Sequence, residues 1–198
     1  MDYIERFLDE TAAIAARLDR GAIGRVMKHL LDVRDRGGRL FVLGVGGSAA
    51  NAAHAVNDFR TITGIEAYAP TDNVAELTAR INDAGWDTTF SAWLRTSRLS
   101  PRDAVLVLSV GGGDVERGVS VNLVRALELA RAVGATILGL VGRTGGVTAQ
   151  VADACVIVPV PSPETVTPHT EAFQSVLWHL LVSHPKLQAA PMRWESFR

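Results

Sequence analysis

The run Phe41-Val42-Leu43-Gly44-Val45-Gly46-Gly47-Ser48 leads into Ala49-Ala50-Asn51-Ala52-Ala53-His54 and then to Asp58. An apolar run that stops at glycines and passes into helix formers reads as a buried strand, a tight turn and the opening of a helix. Such a junction leaves backbone N–H groups free, and a helix start there favours anions such as phosphate. His54 and Asp58 are four residues apart, so they share one face of that helix. No Gly-Lys-Ser/Thr follows, so the turn is not a Walker loop, and it matches the dinucleotide fingerprint poorly. Taken alone, the element also suits a tight turn in any doubly wound domain.

On either side of this stretch the pattern alternates. Short apolar runs predict strands at 39–44, 65–69, 104–109, 136–141 and 153–158. Helical stretches at 48–60, 73–83, 86–97, 119–133, 145–151 and about 165–184 separate and follow them. The alternation predicts an α/β fold, a doubly wound five-stranded parallel sheet covered on both faces. Ahead of it, 3–18 and 21–36 predict an N-terminal pair of amphipathic helices, stopped by Gly37-Gly38. The domain reading is therefore a helical extension over 1–37 for oligomer packing, an α/β domain over 38–187 and a tail over 188–198. Trp194 and Phe197 suggest that the tail docks.

The chain has 198 residues, 47% of them hydrophobic, enough for one sizeable core. Its net charge of −1 gives no bulk attraction to nucleic acid or to an anionic membrane. The single cysteine, Cys155, lies in an apolar run and reads as a buried strand residue, which excludes a disulfide framework within the chain. The first residues form no apolar signal core, and no segment reaches the ~18 apolar residues of a membrane span. The expectation is a cytoplasmic protein without nucleic-acid or membrane partners.

Ligands of open parallel sheets bind at the C-terminal strand ends. Three loops fit that place: Gly44 to Ser48, Ser109-Val110-Gly111-Gly112-Gly113 continuing to Ser120, and Thr144-Gly145-Gly146. Glycines allow close backbone approach, and hydroxyls add donors for a phosphate. A second polar pair, Glu171 and His179, is eight residues apart on the last helix. That spacing puts the two within ~80° of one face but ~12 Å apart along the axis, so joint coordination of one ion is strained. Asn82-Asp83-Ala84-Gly85 carries ordinary helix-stop residues. His169 reads as a capping or rim residue.

These elements, in this order, resemble the phosphoheptose isomerase branch of the sugar isomerase (SIS) domain family, whose fold is flavodoxin-like. The likeness is carried by Gly44-Val45-Gly46-Gly47-Ser48 with His54, by Asn82-Asp83-Ala84-Gly85-Trp86-Asp87, by Ser109-Val110-Gly111-Gly112 with Ser120-Val121-Asn122, by Gly142-Arg143-Thr144-Gly145-Gly146, and by Glu171 with His179. The resemblance implies an aldose–ketose isomerase that converts sedoheptulose 7-phosphate to D-glycero-D-manno-heptose 7-phosphate through an enediol. It also implies a homo-oligomer, typically a tetramer with shared sites, and one zinc ion per site.

By position, the metal ligands would be His54, Asp58, Glu171 and His179. Asp58, Glu171 and His179 would carry the catalysis. Val45, Gly46, Gly47, Ser48, Asn82, Asp83, Ser109 and Ser120 would bind substrate. The chain departs from the family at several of these places. Val45 replaces an asparagine, Asp58 a glutamate, Glu171 a glutamine, and Ser109-Val110-Gly111 a Ser-Thr-Ser core. Aldose–ketose isomerisation needs a base, an acid at the carbonyl oxygen and stabilisation of an oxyanion. A carboxylate of ordinary pKa, ~4, is a weak base, so the reading requires a buried one. The alternatives are a non-catalytic SIS protein that binds or senses a phosphosugar, and an isomerase of another sugar phosphate. A pure binding module has no reason to keep both the His/Asp and the Glu/His pair.

Overall fold

Apolar runs bounded by glycines and polar caps become strands where neighbours can satisfy their backbone groups. The computed structural model describes residues 2–192. The order is α1 (Tyr3–Arg17), α2 (Arg20–Asp35), β1 (Leu40–Leu43), α3 (Gly47–Asp58), β2 (Ala67–Tyr68), α4 (Val74–Ala84), α5 (Thr89–Thr96), β3 (Ala104–Ser109), α6 (Val121–Val133), β4 (Thr136–Val141), α7 (Gly146–Val151), β5 (Ala154–Ile157) and α8 (Val166–Ser183). The five strands form one parallel sheet in the order β2-β1-β3-β4-β5. The chain winds outward from β1 in one direction to β2 and in the other to β3. The tips of β1 and β3 therefore flank the crevice where such sheets bind ligands.

Side chains alternate across the sheet. Leu40, Val42, Leu106, Leu108, Leu138 and Val156 pack under α2, α3 and α8, together with Val26, Leu30, Phe59, Leu177 and Trp178. Phe41, Leu43, Val105, Val107 and Ile137 pack on the other face against Phe90, Leu94, Leu123 and Leu127 from α5 and α6. The register is fixed at the base, where Arg39 and the buried Asp103 pair at 2.8 Å just before β1 and β3. α2 thus belongs to the sheet's own core, whereas α1 leaves Tyr3, Ile4 and Leu8 exposed.

The differences from the sequence reading are local. β2 pairs over only two residues at the sheet edge. After Asp58 the helix widens into a π-turn over Phe59–Thr63, ended by Gly64 at φ 69°. Gly85, at φ 80°, separates α4 from the 86–97 stretch, which begins with a 3-10 turn over Trp86–Thr88 before α5. Cys155 is half-buried in β5, and burial pushes its thiol up to about 11. Among the described residues no helix is long and apolar enough to cross a membrane. Trp194 and Phe197 lie outside the described residues.

Candidate active site

The first glycine turn brings α3 unusually close to β1. A Cβ on Gly44 would run into the Ser48 carbonyl, so the turn requires glycine there. Gly46, at φ 62°, precedes the first turn of α3. Ser48 is buried, and its Oγ has no hydrogen-bond partner within the protein. A buried hydroxyl left unpaired marks a place for a ligand. It lines a cavity of about 290 Å³ together with Val45, Ser109, Ser120, Arg143 and Thr167. Ser109 Oγ accepts from Gly112 N at 3.0 Å, which folds the second glycine loop back over the tip of β3. Of the residues expected to bind substrate, the three loop serines and Val45 line this cavity. Arg143 and Thr167 complete the wall and were not among the predicted site residues.

From this cavity α3 and α8 run side by side in the same direction. Near their starts the Glu171 carboxylate rests against Gly47, where a Cβ would collide with it. One turn on, Asn51 Nδ2 donates to Glu171 O at 2.9 Å and to Gln174 Oε1 at 3.0 Å, and Ser175 Oγ donates to Asn51 Oδ1 at 2.7 Å. At the far ends stand His54, Asp58, Trp178 and His179.

Asp58 is 4% exposed, and its Oδ1 accepts from Asn57 Nδ2 at 2.9 Å. Its Oδ2 lies 3.9 Å from His54 Nε2 and 3.9 Å from His179 Nε2. The two imidazoles meet edge to face with centroids 5.4 Å apart, and the His54 ring also packs on Trp178 at 4.6 Å. His179 Nδ1 lies 2.8 Å from Ser175 O. A carbonyl only accepts, so Nδ1 bears a hydrogen and Nε2 is the ring nitrogen turned toward Asp58. One ligand atom from each of His54, Asp58 and His179 falls within 4.8 Å of the others, which suits a divalent ion in geometry and donor type.

Glu171 does not join that group. Its eight-residue offset from His179 is a rise of ~12 Å, which leaves its carboxylate at the start of α3 rather than the end. Asn82 and Asp83 are exposed at the end of α4, bonded to each other at 2.8 Å, and line neither this cavity nor the one beside it.

His169 is no rim residue. It is 2% exposed, its Nε2 lies 2.9 Å from Glu10 Oε2, and its ring packs on Phe7 at 4.2 Å. Thr165 Oγ1 donates to the same Glu10 oxygen at 2.6 Å. These bonds, that from Thr165 foremost, hold the Glu10 carboxyl below the usual carboxylate range. They also tie α1 to the first turn of α8, the turn that presents Thr167 to the cavity. No local pattern links residues this far apart in the chain.

A five-stranded parallel sheet with a hydroxyl-lined cavity at its switch point is a doubly wound ligand-binding architecture, and the profile of the SIS domain family matches residues 2–142, so the chain belongs to that family. Within it, the chain is 34% identical over 150 residues to the phosphoheptose isomerase of Rhodospirillum rubrum, covering 73% of this chain and 74% of that one. It is 33% identical over 164 residues to that of Geotalea daltonii, with 80% of each chain covered. The solved phosphoheptose isomerase of Neisseria gonorrhoeae superposes with a TM-score of 0.78 at 25% identity, covering 90% of this chain and 94% of that one.

Proposed function

We propose that the protein is a phosphoheptose isomerase, interconverting sedoheptulose 7-phosphate and D-glycero-D-manno-heptose 7-phosphate. The observation that carries this reading is the placement of two features on the paired helices α3 and α8. A hydroxyl-lined cavity lies at their starts, and a buried carboxylate set between two imidazoles lies further along. His54 stands ~9 Å beyond Ser48 along α3, a gap that an extended sugar phosphate bridges.

The phosphate sits on Ser48, Ser109, Ser120 and the backbone amides of the glycine turns. Its binding holds the distant carbons in place for proton transfer. Asp58 takes the proton from C1 of the ketose while His179 gives one to the carbonyl oxygen at C2, which yields the enediol. Asp58 then returns the proton to C2 while the neutral His179 takes the O1 proton as the C1 aldehyde forms, which restores both groups. His54 packs on Trp178 and orients the Asp58 carboxylate. Glu171, at the near end beside Gly47, accepts hydrogen bonds from sugar hydroxyls. A divalent ion such as zinc would be held by His54, Asp58 and His179; bound there, it would supply polarisation of the carbonyl and stabilisation of the enediolate in place of the His179 proton. Elemental analysis of the purified protein checks the ion.

The His54 and His179 side chains are 60% and 41% exposed in the single chain, and α1 presents Tyr3, Ile4 and Leu8. Both features support a homotetramer in which α1 packs between subunits and the exposed Asn82 and Asp83 reach a neighbouring subunit's site. Sedimentation tests the assembly. The lone cysteine and near-neutral charge support a cytoplasmic place. The activity is tested by incubating the protein with sedoheptulose 7-phosphate and following the aldoheptose by NMR. Formation of the aldose supports the reading. A metal-loaded protein that leaves the ketose unchanged refutes it.

A further inference from the structure

The cavity at the tips of β1 and β3 is rich in hydroxyls and poor in charge. Ser48, Ser109, Ser120 and Thr167 offer hydrogen bonds, and no carboxylate lines it. Arg143 is the one charged side chain among the described lining residues. A sugar phosphate carries close to two negative charges, which neutral hydroxyls solvate but do not neutralise. Arg117, on the neighbouring loop, lines an adjoining cavity instead and pairs with Asp114 at 3.7 Å.

Backbone strain points to the same residue. Among the described residues three that are not glycine have positive φ: Arg98 at 53°, Ser120 at 50° and Arg143 at 50°. Two of the three line this one cavity. Arg143 occupies the first inner position of a turn closed by Gly145 N on Gly142 O at 2.9 Å. With positive φ, that position ordinarily holds glycine. Gly142 is wedged so that a Cβ would collide with Thr170 and come 2.9 Å from Val110 O, which fixes the turn's root. Strain kept at a ligand cavity by its surroundings marks a functional constraint.

We propose that Arg143 is the counter-charge of the bound phosphate, held in a strained backbone conformation at the rim of the cavity. The inference rests on the reading that this cavity takes a phosphate. It adds a residue that sets affinity for the anion rather than one that moves a proton.

The test measures inorganic phosphate by calorimetry and sedoheptulose 7-phosphate by turnover, in the wild type and in R143A, R143G and R98G. Loss of a charge-assisted contact should weaken phosphate binding and raise KM about tenfold or more in R143A and R143G, with kcat little changed. R143G should also melt higher than the wild type, because glycine takes positive φ without strain. R98G should melt higher with phosphate affinity unchanged. An R143A protein and an R143G protein that both bind phosphate like the wild type overturn the proposal. A wild type that binds phosphate through Arg143 but isomerises nothing upholds the anion site and fails the isomerase reading. A wild type that binds neither ligand fails both.

Discussion

The two ends of the α3–α8 pair are built by different means. The far end uses regular helix geometry: His54 and Asp58 are one turn apart on α3, and His179 is presented by α8 with its Nδ1 fixed by Ser175 O. The near end uses irregular backbone: positive φ at Gly46, Ser120 and Arg143, and glycines so crowded that a Cβ on Gly112 would enter the Gly145 carbonyl. The far end is partly open, with imidazoles exposed, while the near end buries Ser48 completely enough to orphan its hydroxyl. The contrast separates the work. Proton transfer falls to side chains that a helix spaces accurately. Anion binding falls to amides and hydroxyls that only loops can turn inward. If so, substitutions at the far end change kcat and those at the near end change KM.

The largest effect should come from the far end. His179→Gln should lower kcat by two orders of magnitude or more, in the range of a lost general acid–base group. Its phosphate affinity and melting temperature should stay near those of the wild type. A matching rise in KM would break the division between the two ends.

Ser48→Ala should act in the opposite sense, raising KM roughly tenfold through one lost hydrogen bond to a charged ligand while sparing kcat. It should also leave the ligand-free protein as stable as before or more so, because the deleted hydroxyl has no partner to lose. Thermal melts with and without phosphate check both parts.

The smallest effect should come from the clamp behind the cavity. Glu10 has a lowered pKa in the folded protein, chiefly through Thr165 and then His169. Its contribution is therefore complete above the ordinary carboxylate value and lost as pH falls through the lowered one. The wild type should melt above Glu10→Gln at neutral pH, with the gap closing in acid. A gap independent of pH would mean that the carboxylate's charge does not hold α1 to α8.

The same contrast explains what the sequence makes legible. Strand positions follow from apolar runs such as Ala104 to Leu108, and the sheet class follows from their alternation with helices. The His54/Asp58 pair is visible because helical spacing assigns a face. Loops give no such rule. Ser48, Ser109 and Ser120 are visible as hydroxyls near glycines, but Arg143 is not, since arginine gives no signal for positive φ; the flanking Gly142 and Gly145 were the only hint. Thr167 and the Glu10–His169 contact depend on how α1 docks on α8, a long-range packing fact with no local periodicity. Glu171 shows the limit of spacing alone. Its offset from His179 puts it on nearly the same face, yet the rise along the helix sets its carboxylate against Gly47, at the opposite end of the helix pair.

The division of labour is tested most directly by hydrogen exchange at the sugar in deuterated water, read by NMR on sedoheptulose 7-phosphate. The wild type should introduce deuterium at C1 and C2. Asp58→Asn should introduce none while still binding inorganic phosphate with wild-type affinity. Exchange that persists in Asp58→Asn, or vanishes only together with phosphate binding, would contradict the account.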